Sequence, residues 1–313
     1  MKIVFMGTPE FALASLARLY EAGHEIVGVY TQPDKPKNRG MKMILSPVKT
    51  FALAHDIPVF QPVSLKKTEA ETAEQLRALA PDLIVVAAYG KILPDAVLQA
   101  APLGCINVHA SLLPKYRGAA PINWAVLNGE RETGVTIMHV APELDAGDMI
   151  LAGSTEIGEN ETAAELYDRL KVLGAELLLE AVEQIQAGTA PRTPQDHAAS
   201  TYAPMLTKQE AELDWALPAQ QLHNQVRGLN PAPVARTVMA GLPVKIYRTA
   251  AGGPVKGRPG TVASTSPLTV VCGDGTGLEL LEVQPDGGKR MPAAAFLCGH
   301  PLKAGQILAE KEF

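Results

Sequence analysis

Residues 83–88, LIVVAA, run without a polar interruption and empty into Tyr89-Gly90-Lys91-Ile92-Leu93-Pro94. A strand with one wet face alternates apolar and polar residues. This run does not, so it predicts a strand buried on both faces, as in a parallel sheet covered by helices. The start of the chain agrees. Residues 2–6 read as a short buried strand, and residues 11–22 carry helical spacing through Leu13, Leu16 and Leu19, with Gly23 to close the helix. Residues 26–30 are a second strand, which completes a βαβ unit. Residues 57–60 read as a strand and 68–80 as a helix opened by a Thr68–Glu71 capping box. Together these elements predict an open α/β sheet, whose ligands bind at the carboxyl ends of its strands.

Beyond that run lies GCINVHASLLPKYRGAAPI, residues 104–122. Ile106 and Val108 alternate with Cys105, Asn107 and His109, so Asn107 and His109 share one face of a strand. Two such side chains stand roughly 6–7 Å apart, close enough to grip one small group. Pro114, Gly118 and Pro121 then mark a rigid loop with exposed backbone donors. An imidazole and a carboxamide at a strand end before such a loop form a candidate site. An isolated N-x-H pair is also, and more often, a satisfied core histidine beside a turn. Residues 134–140 read as another strand, leading into Glu143-Leu144-Asp145-Ala146-Gly147-Asp148. Asp145 fits an Asx-turn, and it fits an acid that orients His109. Thr162 and Glu165 form a second capping box, on a long amphipathic helix that Gly188 ends.

A chain of 313 residues predicts two domains, and 47% hydrophobic residues suffice for real cores. The expected division is 1–188, a proline-rich linker 189–206, and 207–313. In the last part short extended runs alternate with glycine-rich turns, which predicts a small OB-like β-barrel. Residues 1–206 carry a net charge of −7 and residues 207–313 a net of +2, within an overall −5. That acidity argues against indiscriminate nucleic-acid binding and leaves room for a local basic footprint. No apolar run is long enough to span a bilayer, and the first residues enter a strand pattern rather than a signal peptide. Three scattered cysteines form neither a disulfide framework nor a zinc pattern, so a cytoplasmic location is expected. The stretch QPDKPKNRGMKMILSPVK, residues 32–49, places Lys35, Lys37, Arg39, Lys42 and Lys49 against Asp34 alone. An irregular segment of this length in a compact domain reads as a binding loop. The first strand–helix turn, GTPEFA, lacks G-x-G-x-x-G, which argues against a nicotinamide dinucleotide.

With MGTPEFA, TQPDKPKNRG, SPVK, AAYGKILP, the N-x-H-x-SLLP-x-YRGAAPI block, LDAGDM and VRGLNPAP, the chain resembles the folate-dependent formyltransferases along essentially its whole length. The resemblance implies a Rossmann-like open parallel sheet in a catalytic domain, followed by an OB-like β-barrel domain. It implies formyl transfer from 10-formyltetrahydrofolate to the amino group of methionyl initiator tRNA, by a monomer, with no metal. The alternative acceptor is an amino-sugar nucleotide. Asn107, His109 and Asp145 match the family's catalytic trio. Ser111, Leu112, Leu113 and Pro114 match its folate-binding loop, and Ile92 and Leu93 the frame of the pterin pocket. The basic loop suits a tRNA acceptor stem, with Arg39 as the main contact through its planar fork and Lys42 as a point charge, beside Lys35 and Lys37. The chain departs from the family at Glu143, where many relatives have glycine, and at Ala232, where an aromatic is missing from NPWPGA.

Overall fold

The computed structural model describes residues 1–37 and 42–308. They group into two units. One comprises Met1–Pro121, Thr133–Thr155 and Tyr167–Ala203; the other comprises Ile122–Glu132, Glu156–Leu166 and Pro204–Phe313.

The first unit carries β1 (Lys2–Gly7), β2 (Glu25–Tyr30), β3 (Lys35–Lys37), β4 (Lys42–Ile44), β5 (Val59–Phe60), β6 (Leu83–Ala87), β7 (Cys105–His109), β8 (Arg117–Gly118), β9 (Glu132–His139), β10 (Met149–Glu156) and β11 (Tyr202–Ala203). The main sheet has the order β10-β9-β7-β6-β1-β2-β5. β1, β2, β5, β6 and β7 pair in parallel, and every residue of β6 is buried, as its unbroken apolar run requires. Gly7 ends β1 because nothing larger fits: a Cβ there would stand 2.6 Å from Ala12 Cβ and 2.8 Å from Ala87 O. The GTPEFA turn is thus a packing turn between strand and helix.

The sheet is not wholly parallel. β9 runs antiparallel to β7, pairing Asn107 with Met138 and His109 with Thr136. A parallel return needs a crossover, usually a helix on the sheet face. Residues Ile122–Glu132 group with the second unit, so this connection gives the first unit no crossover helix, and β9 enters the other way round.

The second unit holds β12 (Ala235–Met239), β13 (Leu242–Pro254), β14 (Val262–Thr265), β15 (Leu268–Val271), β16 (Thr276–Pro285) and β17 (Met291–Pro292). They pair antiparallel in the order β12-β13-β16-β15-β14, with β17 on β16. Leu222 and Val226 of the helix Ala219–Gly228 share a core with Val244, Ile246, Leu278 and Val283 of this sheet. The expected OB-like β-barrel is not confirmed: among the described residues no pairing joins β14 back to β12, and the sheet does not close. Single bridges occupy the edges instead, Glu212 to Arg236 and Thr261 to Ile307, which removes the need for closure. β13 is longer than its apolar pattern predicts because its AAGGP end is exposed and carries no alternation.

Polar contacts explain why two early segments belong to this unit. Buried Arg227, from VRGLNPAP, donates through Nη1 to Gly158 O and Glu161 O at 3.1 and 3.2 Å. His223 Nε2 donates to Glu159 O, 3.0 Å, while Nδ1 accepts from Thr249 Oγ1, 2.9 Å; burial lowers the His223 pKa, against the Glu159 carbonyl, which raises it. Asn123 donates to Gly228 O, 2.8 Å, and Trp124 Nε1 to Pro204 O, 2.8 Å.

Of the two expected capping boxes one forms. Glu165 Oε2 accepts from Thr162 N at 2.8 Å while Thr162 Oγ1 accepts from Glu165 N at 3.3 Å. Thr68 makes no side-chain cap: its backbone, at φ −111 and ψ 25, is not the extended one an N-cap residue adopts, and its hydroxyl donates to Ser64 O at 3.0 Å. The Thr162 amide and the Arg248 guanidinium hold the Glu165 carboxyl down, from 4.5 to about 2. A depressed folded-state pKa stabilises fully above the unfolded value and is lost as pH falls toward the folded one. Glu165→Ala is therefore expected to lower stability by about 1 kcal/mol at pH 7, a modest figure for a half-exposed pair. Urea unfolding of both proteins between pH 7 and pH 2.5 should show that gap closing below pH 4.5; a constant gap would count against the charge as its source.

Candidate active site

The pairing of β7 with β9 sets which groups face one another. Directly opposed residues of an antiparallel pair project to the same side. Asn107 and Met138 therefore share a face with His109 and Thr136. Gln195 lies on that face as well, its Nε2 3.9 Å from Met138 Sδ. Asn107 is half-buried, and among the described residues its amide has no hydrogen-bond partner. Burial pushes the Cys105 thiol far up, so it stays protonated and is a packing residue rather than a nucleophile.

His109 is 5% exposed and is held at both nitrogens. Nε2 lies 2.9 Å from Tyr116 O; a carbonyl only accepts, so Nε2 carries a proton and donates. Nδ1 faces Asp145 Oδ2 at 3.6 Å, too long for a hydrogen bond but an ion pair whenever the ring is doubly protonated. Asp145 Oδ2 also accepts from Gly118 N at 2.8 Å. The two acceptors facing the imidazole belong to Tyr116 and Asp145, non-glycine residues at φ +60 and +49. Left-handed backbone costs such residues about 1–3 kcal/mol, and it persists only where the surroundings impose it, often at functional sites.

Asp145 reaches His109 because its loop doubles back. The chain leaves β9 with Val140 N bonded to Cys105 O, 2.8 Å, and returns where His139 N donates to Asp148 O, 2.8 Å. Gly147 is squeezed against the strand; a Cβ there would stand 1.8 Å from His139 O. Two residues that the sequence reading passed over complete the arrangement. Gln195 Nε2 donates to Asp145 O and Gly147 O at 2.9 and 2.8 Å, and its Oε1 accepts from Arg117 Nε and Nη2 at 3.1 and 2.8 Å. Arg117 is buried; Nη2 also meets His197 Nδ1 at 3.2 Å, and Nη1 reaches Glu143 Oε1 at 3.4 Å. Glu143, a departure from the family pattern, thus lends a carboxylate to that guanidinium. A lone arginine inside YRG offered a signal for Arg117. Gln195, in an aperiodic proline-rich stretch, offered none.

The remaining candidates divide. In the loop after β7 most of the donors expected to be exposed are used internally. Ser111 N donates to His109 O, Leu113 N to Thr136 Oγ1, Tyr116 N to Thr201 Oγ1, and Arg117 N to Thr201 O. Ser111 Oγ donates to Lys115 O at 2.7 Å, so this hydroxyl shapes the loop. Leu112 and Pro114 are half-buried and Leu113 is buried. After β6, Leu93 packs into the core around Tyr30 and Tyr89, whereas neighbouring Ile92 is 88% exposed. β6 and β7 are adjacent, so these two loops leave neighbouring carboxyl ends, as the crevice rule expects. Lys35, Lys37 and Lys42 lie on the β3–β4 hairpin, while Arg39 lies outside the described residues. Lys49 is withdrawn from the basic footprint: its Nζ is 2.5 Å from Asp34 Oδ2 and 2.7 Å from Gln61 Oε1, and the contacts from Lys49 and Gln61 lower the Asp34 pKa.

A formyl transferase model matches residues 1–182, and a formyl transferase C-terminal-domain model matches residues 205–301. The chain belongs to the formyl transferase family. It is 49% identical over 313 residues to the methionyl-tRNA formyltransferase of Trichlorobacter lovleyi, covering 99% of this chain and 98% of that one. It is 50% identical to that of Moorella thermoacetica, covering 98% and 99%. Its fold is like that of the Helicobacter canadensis N-formyltransferase solved with folinic acid and dTDP-3-aminofucose, at TM-score 0.69 and 19% identity, over 90% of this chain and 98% of that one. It is also like Aquifex aeolicus HypX solved with tetrahydrofolic acid, at TM-score 0.65 and 20% identity, where all of this chain spans 51% of the other. No helix among the described residues is long and apolar enough to cross a membrane.

Thr136 tests the architecture apart from the chemistry. Its hydroxyl donates to Ser111 O, 2.7 Å, and accepts from Leu113 N, 3.1 Å, both buried. Thr136→Val strands both groups and is expected to cost about 1–3 kcal/mol in urea unfolding. A change below experimental error would mean that the loop finds other partners.

Proposed function

We propose that this formyl transferase moves the formyl group of 10-formyltetrahydrofolate to the amino group of methionyl initiator tRNA. The observation carrying this is the His109–Asp145 pair, its Asp145 in left-handed backbone, in a chain about half identical, end to end, to methionyl-tRNA formyltransferases. The reaction is acyl transfer between nitrogens: the amine nitrogen bonds to the formyl carbon, the bond from that carbon to N10 of the folate breaks, and a proton passes from amine to N10. Asn107 donates its amide N–H to the oxygen as it gains charge, a contribution of about 3–4 kcal/mol for one such donor. His109 Nδ1, which no hydrogen bond engages, takes and returns the proton, and Asp145 stabilises the imidazolium that forms. The loop of Ser111, Leu112, Leu113 and Pro114, with Ile92 and Leu93, frames the folate. In this reading residues 1–188 perform the chemistry and residues 207–313, built on an OB-like antiparallel sheet, help to hold the tRNA. Lys35, Lys37, Arg39 and Lys42 meet the acceptor stem.

Asn107→Ala and His109→Ala are each expected to lower kcat by about 10²-fold or more with the donor KM little changed. The assay is formyl transfer to charged initiator tRNA, run beside elongator methionyl-tRNA and amino-sugar nucleotides; preference for a sugar nucleotide would overturn the acceptor assignment. Arg39→Leu is expected to reduce kcat/KM for tRNA by the equivalent of about 1–3 kcal/mol and to flatten the salt dependence of tRNA binding, leaving the donor KM alone. Wild-type kinetics across a salt series would remove Arg39 from the tRNA site.

A further inference from the structure

We infer that Gln195, clamped by Arg117, is a positioning residue that fixes Asp145 against His109. The inference rests on the catalytic reading of that pair. Asp145 needs such a device. It sits at φ +49, in a loop anchored to the sheet only where it leaves and returns, yet its carboxylate must stay within reach of a buried imidazole.

The Gln195 amide supplies the restraint with every hydrogen-bonding site in use. Its two N–H groups go to Asp145 O and Gly147 O, one on either side of Ala146. Its oxygen takes two hydrogens from the Arg117 guanidinium. The orientation is unambiguous, because a guanidinium offers no acceptor and carbonyls offer no donor. A ring of contacts then closes. The next peptide after Arg117 donates Gly118 N to Asp145 Oδ2, so the backbone and the carboxylate of Asp145 are tied to one rigid segment. The same segment carries the Tyr116 carbonyl that receives His109 Nε2–H. Both groups facing the imidazole are thus referred to residues 116–118, and Gln195 is the strut that keeps the Asp145 side in register. Gln195 is 5% exposed and Arg117 1%, so water does not compete for these bonds.

Two variants separate positioning from folding. Gln195→Met keeps the volume and removes all four bonds. Gln195→Glu keeps the acceptor for Arg117, and with it the buried fork, but loses both donors to the Asp145 loop. Each is expected to lower kcat for formyl transfer about 10- to 100-fold, with both substrate KM values within about 3-fold of wild type. In a His109→Ala background the same substitutions are expected to cost less than about 2-fold more, because residues acting as a unit do not add. The Gly118 amide resonance should move in each variant, a readout independent of activity. Gln195→Glu decides the matter should Gln195→Met fail to fold. Wild-type kcat in either folded variant, an undiminished loss on top of His109→Ala, or an unmoved Gly118 resonance would overturn the inference. Wild-type enzyme inert toward charged initiator tRNA would instead overturn the functional reading, and the Gly118 resonance would still report on the strut.

Discussion

The register between β7 and β9 decides what the first unit can do. With Asn107 opposite Met138 and His109 opposite Thr136, all four side chains stand on the face where Gln195 and the Asp145 loop lie. A slip of one residue would turn every side chain of β9 to the other face. Thr136 could then no longer bridge Ser111 O and Leu113 N, and Met138 could not underlie Gln195. The antiparallel sense matters as much as the register. It lets β9 end opposite Cys105, at the far end of β7 from His109, so the following loop must travel back over the face to return. That return brings a carboxylate from a distant part of the sequence to the imidazole.

Such an arrangement is expensive, and the costs fall in one place. Arg117 is a fully buried cation, and Tyr116 and Asp145 adopt left-handed backbone without being glycine. A buried charge without partners costs several kcal/mol, and each strained residue adds about 1–3 kcal/mol. The offsets are local: the Gln195 oxygen, His197 Nδ1 and the Glu143 carboxylate around the guanidinium, and Thr201, which receives the peptide N–H groups on both sides of the Tyr116 carbonyl. Residues 189–206 read as a linker because prolines and missing periodicity hide the side-chain work of residues 193–203. In the structure they supply Gln195, His197, Thr201 and the β11 pairing with β8.

What the sequence revealed follows from how local each signal is. LIVVAA is legible because burial on both faces leaves no alternation, and the shared face of Asn107 and His109 follows from a period of two. Strand direction is not local: residues 134–140 read as a strand, and nothing in them marks β9 as antiparallel in a sheet expected to be parallel. The two capping boxes show how fine the limit is. Both have an acid three residues beyond a threonine, but Thr68 lacks the extended backbone of a cap, whereas the Thr162 hydroxyl donates to Glu165 Oε2 and accepts from Glu165 N. From sequence Asp145 fits both a turn residue and a catalytic acid. It accepts a turn-like bond from Gly118 N and faces His109, so the two descriptions hold at once.

Charge counting is the least reliable of these signals, because a count ignores what each cation already touches. Residues 207–313 are net positive, yet Arg227 is spent on Gly158 O, Glu161 O and Asn224, and its burial lowers its pKa. Arg248 pairs with Glu165, Arg290 with Glu282, and Arg236 with Glu212. In the first unit Lys49 is absorbed by Asp34 and Gln61. Arginine's fork makes it the better internal clasp, and here that role takes arginines out of any phosphate contact. The cations left to meet a polyanion on the second unit are then mostly lysines such as Lys245, Lys256, Lys289 and Lys303, strongly hydrated point charges rather than bidentate readers. Point charges of that kind suit the charge of a phosphate backbone and carry no means of reading its sequence.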